Sequence, residues 1–572
     1  MTTTDHQGRP PAPSGDAAGA AHSAGHDKRW LILFVVLLAQ MMDVLDTTVV
    51  NIGLPTIRDD LGGSYTAVQW LVAGYTLAFA ITLITGGRLG DVFGRRRVFT
   101  AGALCFTLAS AACALAQNQE TLLISRVAQG LFAGVTIPQV LGIISGVFPR
   151  AQLGKAFAFF GPVLGLSSVV SPVLGGWLVD ADLFGTGWRA IFLINLPLGL
   201  IATVGALVLI PRFEPLPGSR LDIGGIALIT VAMTMLVFPL LQGREYDWPA
   251  WGFAMMAGSL VVFALFALHE RRSSSPLIAP SLFRKRHYTG GLAVICSFFC
   301  ALTGFILVFA LFAQVGLGYS PMRAGTTLIP WALGMAIGSA VGAGALAQRI
   351  GRHVLHIGAA VGAAGLVALF LTMRSVGTDL GFWDLAPGFL AGGIGSGMVV
   401  SPMFKIILSS VEPHEVGSGS GLLTTVQQFG ATVGVAVVGT IFFSLLAPQA
   451  QSGVDAVAPT LRQEFSAAQV SAADHNRLLT AFRTCAEDQA DVNDPSDVPA
   501  SCRAVTTLAQ ETTHSPAAAR KVGTALREAA APSRETQFLG AMKGTIWVAI
   551  GLYALTFALI FALPRQARPK YS

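Results

Sequence analysis

The sequence predicts an all-α polytopic membrane protein: two six-helix bundles with two additional central helices, fourteen spans in all, and an extracytoplasmic loop between spans 13 and 14. Three observations carry this. Hydrophobic residues make up 53% of the 572 and charged residues 12%, with a mean hydropathy of +0.63, about half the charge of an ordinary soluble protein. The apolar residues fall in runs of about 20, the length that crosses a bilayer core. A basic hairpin, GRLGDVFGRRR from Gly87 to Arg97, returns 257 residues further on in weaker form as GALAQRIGR, Gly344 to Arg352, which marks a duplicated helical unit.

Residues 1–29 are rich in Ala, Gly, Ser, His and Pro and have no apolar run to bury, so they form a disordered cytoplasmic tail. The apolar stretch that follows runs past Val50 without a small-residue cleavage site, a retained first span and not a signal peptide. Spans near 30–54, 67–88, 98–117, 122–147, 155–179 and 188–210 make the N-terminal bundle, 30–210. Two inserted helices, near 221–242 and 250–270, and a cytoplasmic linker occupy 211–289. The C-terminal bundle takes spans near 290–315, 322–346, 354–373, 382–407 and 417–446, within 290–446, and a last helix at 541–564, before a short tail at 565–572.

The net charge of +6 does not point to nucleic acid, because the cations sit in short loops between apolar runs and form no single patch. They test the topology instead. Loops expected to be cytoplasmic hold Arg150, Lys155, Arg212, Arg220, Arg271, Arg272, Arg284, Arg286, Arg349 and Arg352, while the short outer loops hold little beyond Arg58, Arg244, Arg323 and Arg374. Cationic clusters resist translocation, so both termini are expected inside, and the tail carries Arg565, Arg568 and Lys570 as this requires. The expected location is the cytoplasmic membrane of the cell.

The segment 447–540 is polar and Ala-rich, with a helical pattern around Leu461 to Arg483. By parity it lies outside, long enough for a small cap. Cys485 and Cys502 would meet an oxidising compartment there, so a disulfide is one reading and two unpaired thiols the other. The remaining cysteines, 105, 113, 296 and 300, lie in apolar runs without metal-ligand spacing and read as small packing residues. No metal site is expected.

Ionisable groups inside spans carry the functional argument, since a charge in hydrocarbon is costly and seldom accidental. The first span reads QMMDVLDTTVVNIGLP. At about 100° per residue Gln40, Asp43, Thr47 and Asn51 share a stripe, with Asp46 beside it. A carboxyl there, taken out of water, exchanges protons nearer neutral pH; the other reading is a hydrogen bond that only ties the helix to a neighbour. The natural counter-charge is Arg126 in the fourth span, which needs a carboxylate, carbonyls or water around it unless it snorkels to the interface. Gln129 follows one turn later, and Gly130 and Gly134 form a small-x-x-x-small pair for close helix packing. Candidate cavity-lining groups are Gln40, Thr47, Asn51, Tyr75, Gln129 and Gln139, with Thr424, Gln427 and Gln428 in the second half. Trp70, Trp331 and Phe429 offer aromatic faces, equally well explained as packing.

In the hairpin, Gly87 and Gly94 are read as giving close approach and a tight turn. Asp91 is placed to pair with a neighbouring arginine, and Arg95 and Arg96 anchor the loop in the cytoplasm. The fifth span, GPVLGLSSVVSPVLGGWL, combines Gly161, Gly165, Pro172, Gly175 and Gly176 in a kinked helix able to slide against a partner.

These motifs together resemble the major facilitator superfamily, and within it the fourteen-spanner drug:proton antiporters. LDTTVVNIGLPTI (Leu45 to Ile57) resembles that family's first-helix signature and GRLGDVFGRRRVF its loop between helices two and three. SRVAQG with Arg126 resembles the fourth-helix motif, SPVLGGWL the fifth-helix antiporter motif with Ser171 in place of the usual glycine, and WRAIFLINLPLG the start of the sixth helix. The resemblance implies a transporter and not an enzyme, exporting hydrophobic or cationic small molecules by alternating access. It implies proton-driven exchange through Asp46, Asp43 and Arg126, with no cofactor beyond the proton gradient, and a monomer in the lipid bilayer. An uptake symporter and a narrow exporter of a cell-made metabolite, lipid or siderophore share the same motifs.

Overall fold

A computed structural model gives the fold of residues 26–565, leaving out 63, 150–151, 153–155, 157–158, 214–220, 244–245, 274–275, 279, 344–348, 413–415, 492–497 and 514. The tail 1–25, Arg150, Lys155, Arg220, Arg244, Arg568, Lys570 and positions 344–348 of the second hairpin fall outside the described residues.

Apolar segments of this length satisfy their backbone polar groups internally only as helices. The helices are α1 (His26–Leu61), α2 (Tyr65–Phe93), α3 (Arg95–Ala114), α4 (Gln119–Val147), α5 (Phe160–Asp180) and α6 (Gly187–Leu209, opened by a short 3-10 turn). The hairpin α7 (Ile223–Gln242) and α8 (Ala250–Arg272) follows. Then come α9 (Arg286–Gly316), α10 (Pro321–Gly342, interrupted at Leu328), α11 (His353–Val376), α12 (Phe382–Leu408), α13 (Val416–Ala467), α14 (Ala472–Asp491), α15 (Ala500–Glu511) and α16 (Pro516–Leu559). Among the described residues thirteen helices are long and apolar enough to cross a membrane, one fewer than expected; α5 stands at the fifth position but is not one of the thirteen. The first helix begins at His26, four residues before the expected start.

Local signals set several helix starts. Ser64, Asn118 and Ser515 accept hydrogen bonds from the backbone N–H of Ala67, Thr121 and Ala518, satisfying donors that the first turn leaves open. Gly94, at φ +88°, joins α2 to α3, and Gly351, at φ +56°, stands at the matching point before α11. Only glycine takes such angles without strain.

The duplication read from the hairpin extends to the packing. In the first half α1 packs on α5 and α6, α4 on α2 and α3, and α3 on α6; in the second half α9 packs on α13 and α16, α12 on α10 and α11, and α11 on α16. These are the same five pairs with the sixth helix of each half in the same role. Arg96 at the start of α3 donates to Leu207 O near the end of α6, and Arg352 at the start of α11 donates to Phe561 O and Leu563 O at the end of α16, at 2.9 and 2.6 Å. Each half thus caps the carbonyl end of its sixth helix with an arginine.

The expected loop 447–540 is instead mostly helical over its described residues. α13 continues about six turns beyond its apolar part, α16 begins well before its own, and α14 and α15 lie between them. Val454, Leu461, Phe465, Leu478, Phe482, Val505, Val522 and Leu526 form a separate buried core. The helical pattern expected across 461–483 is broken at 468–471. Polar, Ala-rich sequence reads as loop by hydropathy, yet alanine has the highest helix propensity, and the four pieces bury one another's apolar faces. Cys485 and Cys502 are disulfide-bonded and tie α14 to α15.

Candidate functional site

The stripe on α1 faces the interior of the first half. Asp46, 1% exposed, and Arg126, 1% exposed, form an ion pair at 2.5 Å between Oδ2 and Nη1. Asp46 Oδ1 also accepts from Gln129 Nε2 and from Asn195 Nδ2, each at 2.8 Å. Arg126 donates to Gln129 Oε1 at 2.6 Å and to Leu71 O at 3.2 Å. Ser110 Oγ accepts from both Gln129 and Asn195 and itself donates to Phe192 O. Four helices, α1, α3, α4 and α6, therefore converge on one carboxylate. This is the pairing a buried charge requires, because an uncompensated ion in this environment is unstable. Arg126 does not snorkel.

Asp43 accepts from the Tyr75 hydroxyl at 2.7 Å, and the Arg126 guanidinium lies over the Tyr75 ring, 4.3 Å from its centroid. Tyr75 on α2 thus touches both the second carboxylate and the arginine. Gly130 and Gly134 on α4 make this approach possible: a Cβ on Gly130 would meet Tyr75 O at 2.2 Å and one on Gly134 would meet Thr82 Oγ1 at 2.1 Å. Sequence reasoning missed Ser110 and Asn195. An asparagine inside the apolar run LINLPLG was the available signal for one; a serine in a membrane helix gives none.

The expected cavity-lining set separates into two groups. Tyr75, Gln129 and Gln139 are fully buried within the first half, and each makes a hydrogen bond there. Gln139 Nε2 donates to Gly86 O at 2.6 Å, bracing α4 against α2 beneath the hairpin. Asn51 Nδ2 and Thr47 Oγ1 bond back to their own helix, as does Thr424. Gln40, Gln427 and Gln428 are half-buried, with no described side-chain hydrogen bond. Trp70 and Phe429 pack on Phe238 and Phe263.

In the hairpin, Arg95 lies 3.5 Å from Asp91 and packs over Gly142, while Gly87 differs from expectation: a Cβ there meets open space. The close approach belongs to Gly86, against Gly134 O, and to Gly90, against the Gln139 amide. In α5, a Cβ on Gly175 would meet Val49 of α1 at 2.9 Å, and one on Gly176 would meet Pro321 O and Met322 Cα of α10 at 2.6 Å. Pro172 O abuts Gly325 of α10. Neighbouring glycines thus serve two interfaces, one within the half and one between halves. Gly161 and Gly165 lie in the first two turns of α5, away from this contact.

Contacts between the halves lie toward the end that carries the cap. Gln69 donates to Val435 O at 3.3 Å, Thr432 to Thr76 at 2.8 Å, Gln314 to Ile52 O at 2.9 Å and the Met322 N–H to Asp180 at 2.9 Å. The Tyr65 and Phe443 rings lie 4.4 Å apart. The halves are closed against each other at the cap end.

Two matching six-helix halves, the first enclosing a buried ion pair, define a polytopic membrane transporter. The chain belongs to the Major Facilitator Superfamily, whose profile matches residues 36–435. It is 44% identical to the "Probable actinorhodin transporter" of Streptomyces coelicolor over 98% of this chain and 95% of that one. It is 33% identical to the "Tetracenomycin C resistance and export protein" of Streptomyces glaucescens over 75% and 79%. A crystal structure of a bacterial homologue of the human lysosomal transporter Spinster shares the fold, with a TM-score of 0.54 at 16% identity, covering 93% of this chain and 97% of that one.

Proposed function

We propose that this protein exports hydrophobic or cationic small molecules, drugs and antibiotics among them, across the cytoplasmic membrane in exchange for protons. The observation that carries the reading is the Asp46–Arg126 pair with Asp43 and Tyr75 beside it, two carboxylates and one cation shut inside a transporter half. Resistance and export in the names of relatives supports outward transport. The moving units are 30–210 and the second half, 290–446 with 541–564; the contacts at the cap end close that side in this state.

The disulfide in the cap supports an extracytoplasmic position for that end, since such bonds persist in oxidising compartments, and hence cytoplasmic termini. Protons loaded from outside neutralise the cluster, and their release inside restores it. The electrical part of the gradient supplies about 2.3 kcal/mol per charge per 100 mV. A monomer suffices, because each chain holds both halves. A match over 98% of the chain to a transporter named for one compound favours, as a second reading, a narrow exporter of a cell-made metabolite.

The test is accumulation of a panel of lipophilic fluorescent dyes and aromatic antibiotics in cells expressing the wild type or Asp46→Asn at equal levels, with and without an uncoupler. Export of several unrelated compounds, abolished by the uncoupler or the substitution, supports the broad reading; export of one compound class supports the narrow one. Export that survives the uncoupler overturns proton coupling.

A further inference from the structure

We propose that Asp43 is the carboxyl that takes up and releases the proton, while Asp46 stays ionised as the fixed partner of Arg126. This rests on the proton-coupled reading above and divides its labour between the two acids.

The cluster has two carboxyl groups and one cation, so one carboxylate is left without a counter-charge whenever both are ionised. The geometry decides which. Asp46 has Arg126 on Oδ2 and two amide donors, Gln129 and Asn195, on Oδ1. A proton placed on it would take the charge out of the pair with Arg126 and crowd donors held by two other helices, α4 and α6. Asp43, three residues earlier on the same helix, has one described donor, the neutral Tyr75 hydroxyl on Oδ1. It also forms part of the wall of a cavity of about 10 Å³ with Met42, Phe106, Ala133, Thr136 and Ile137. That is about the room one water needs, enough to hand over a proton.

The charged and titratable groups around Asp43 are few. Asp46 is on its own helix, Tyr75 is on α2, and Arg126 of α4 lies behind the Tyr75 ring. The cavity wall from α3 and α4, Phe106, Ala133, Thr136 and Ile137, carries no charge. With both acids ionised the cluster has a net charge of −1; with Asp43 protonated it is neutral. In uptake a hydronium gives its proton to Asp43, one O–H bond forming as another breaks and leaving water, while Tyr75 keeps its hydrogen and remains a donor. Release is the reverse.

Tyr75 is then a positioning residue. Its neighbour Thr76 accepts the hydrogen bond from Thr432 across the two halves, so the residue that senses Asp43 adjoins the contact that closes the cap end.

Infrared titration of the purified full-length protein tests this through the C=O stretch of a buried protonated carboxyl. A band is expected that grows as pH falls in the wild type and is lost in Asp43→Asn. In Tyr75→Phe it moves to higher frequency, because the hydrogen bond to that carboxyl is gone. In Asp46→Asn its midpoint moves to lower pH, because Asp43 inherits Arg126. A band that persists in Asp43→Asn, or keeps its frequency in Tyr75→Phe, overturns the assignment, and the tyrosine variant decides the matter if the aspartate variant does not fold. Failure of the export reading registers separately, as no substrate-driven proton movement in wild-type vesicles.

Discussion

Asp46 on α1 and Arg126 on α4 stand 80 positions apart and meet at 2.5 Å, with both side chains sealed from solvent. Removing Arg126 leaves both carboxylates buried without a cation, a cost of about 3–5 kcal/mol, and removing Asp46 takes the partner at 2.5 Å from the arginine. Arg126→Ala and Asp46→Asn are therefore expected to lower the thermal midpoint of the detergent-purified protein and to abolish dye export. The milder Asn195→Ala takes away one of three donors to Asp46, about 1–3 kcal/mol. Fluorescence-monitored melting with a matched efflux assay reads both effects.

Gly176 and Gly325 are expected to tolerate no side chain. Leucine at either position meets backbone across the α5–α10 contact, where no flexible group can give way. The halves should then fail to close at the cap end. Cysteines introduced at positions 69 and 435, which approach there in the closed state, are expected to crosslink readily in the parent and several-fold less in the leucine variants. Undiminished crosslinking would show that the glycines do not set the closure.

Gly94 holds φ +88° and ψ 127°, a combination that only glycine adopts freely. Gly94→Ala adds backbone strain of about 1–3 kcal/mol, and its Cβ would also press within 2.7 Å of Phe213 O. Gly351→Ala, at φ +56°, should cost less. A larger drop in melting temperature for the first than for the second is the expected result.

The disulfide closes a separation of 17 residues, for which chain entropy gives about 3 kcal/mol. Cys485→Ser or Cys502→Ser should lower the stability of the cap by that order. Limited proteolysis within 447–540 is expected to accelerate, and a reducing agent should reproduce the effect in the wild type. Dye export should persist, since the cap core is separate from the transmembrane cores.

Asp222 caps α7, accepting from the Gly225 N–H at 2.9 Å, and meets His269 of α8 at 2.8 Å. Burial pushes its carboxyl up, but the bonds from Gly225, His269 and Ser273 outweigh this and hold it below the usual aspartate range. A depressed value in the folded state means the carboxylate stabilises above the ordinary aspartate value, about 3.9, and that this support is lost as pH falls through the folded value. Asp222→Asn should lower stability in the neutral region, leave it little changed at strongly acid pH, and so flatten the acid limb of a stability-against-pH curve.

The sequence by itself determined the spans, the basic hairpin, the duplication and the residues that had to be explained, Asp43, Asp46 and Arg126. These follow from local quantities: the cost of placing each residue in hydrocarbon, and a spacing along one helix. Tertiary structure decided what those quantities do not contain. Asn195 and Ser110 complete the Asp46 site from helices distant in the chain, and Tyr75 and Gln139, polar groups that looked fit to line a cavity, are spent inside the first half. Gly87 and Gly90 are indistinguishable in a hairpin motif, yet only Gly90 faces another helix. The polar stretch 447–540, read as a loop by hydropathy, became a helical cap because its apolar faces found one another. Hydropathy records what each residue gives up on leaving water; which partner it meets is fixed only when helices far apart in sequence pack side by side.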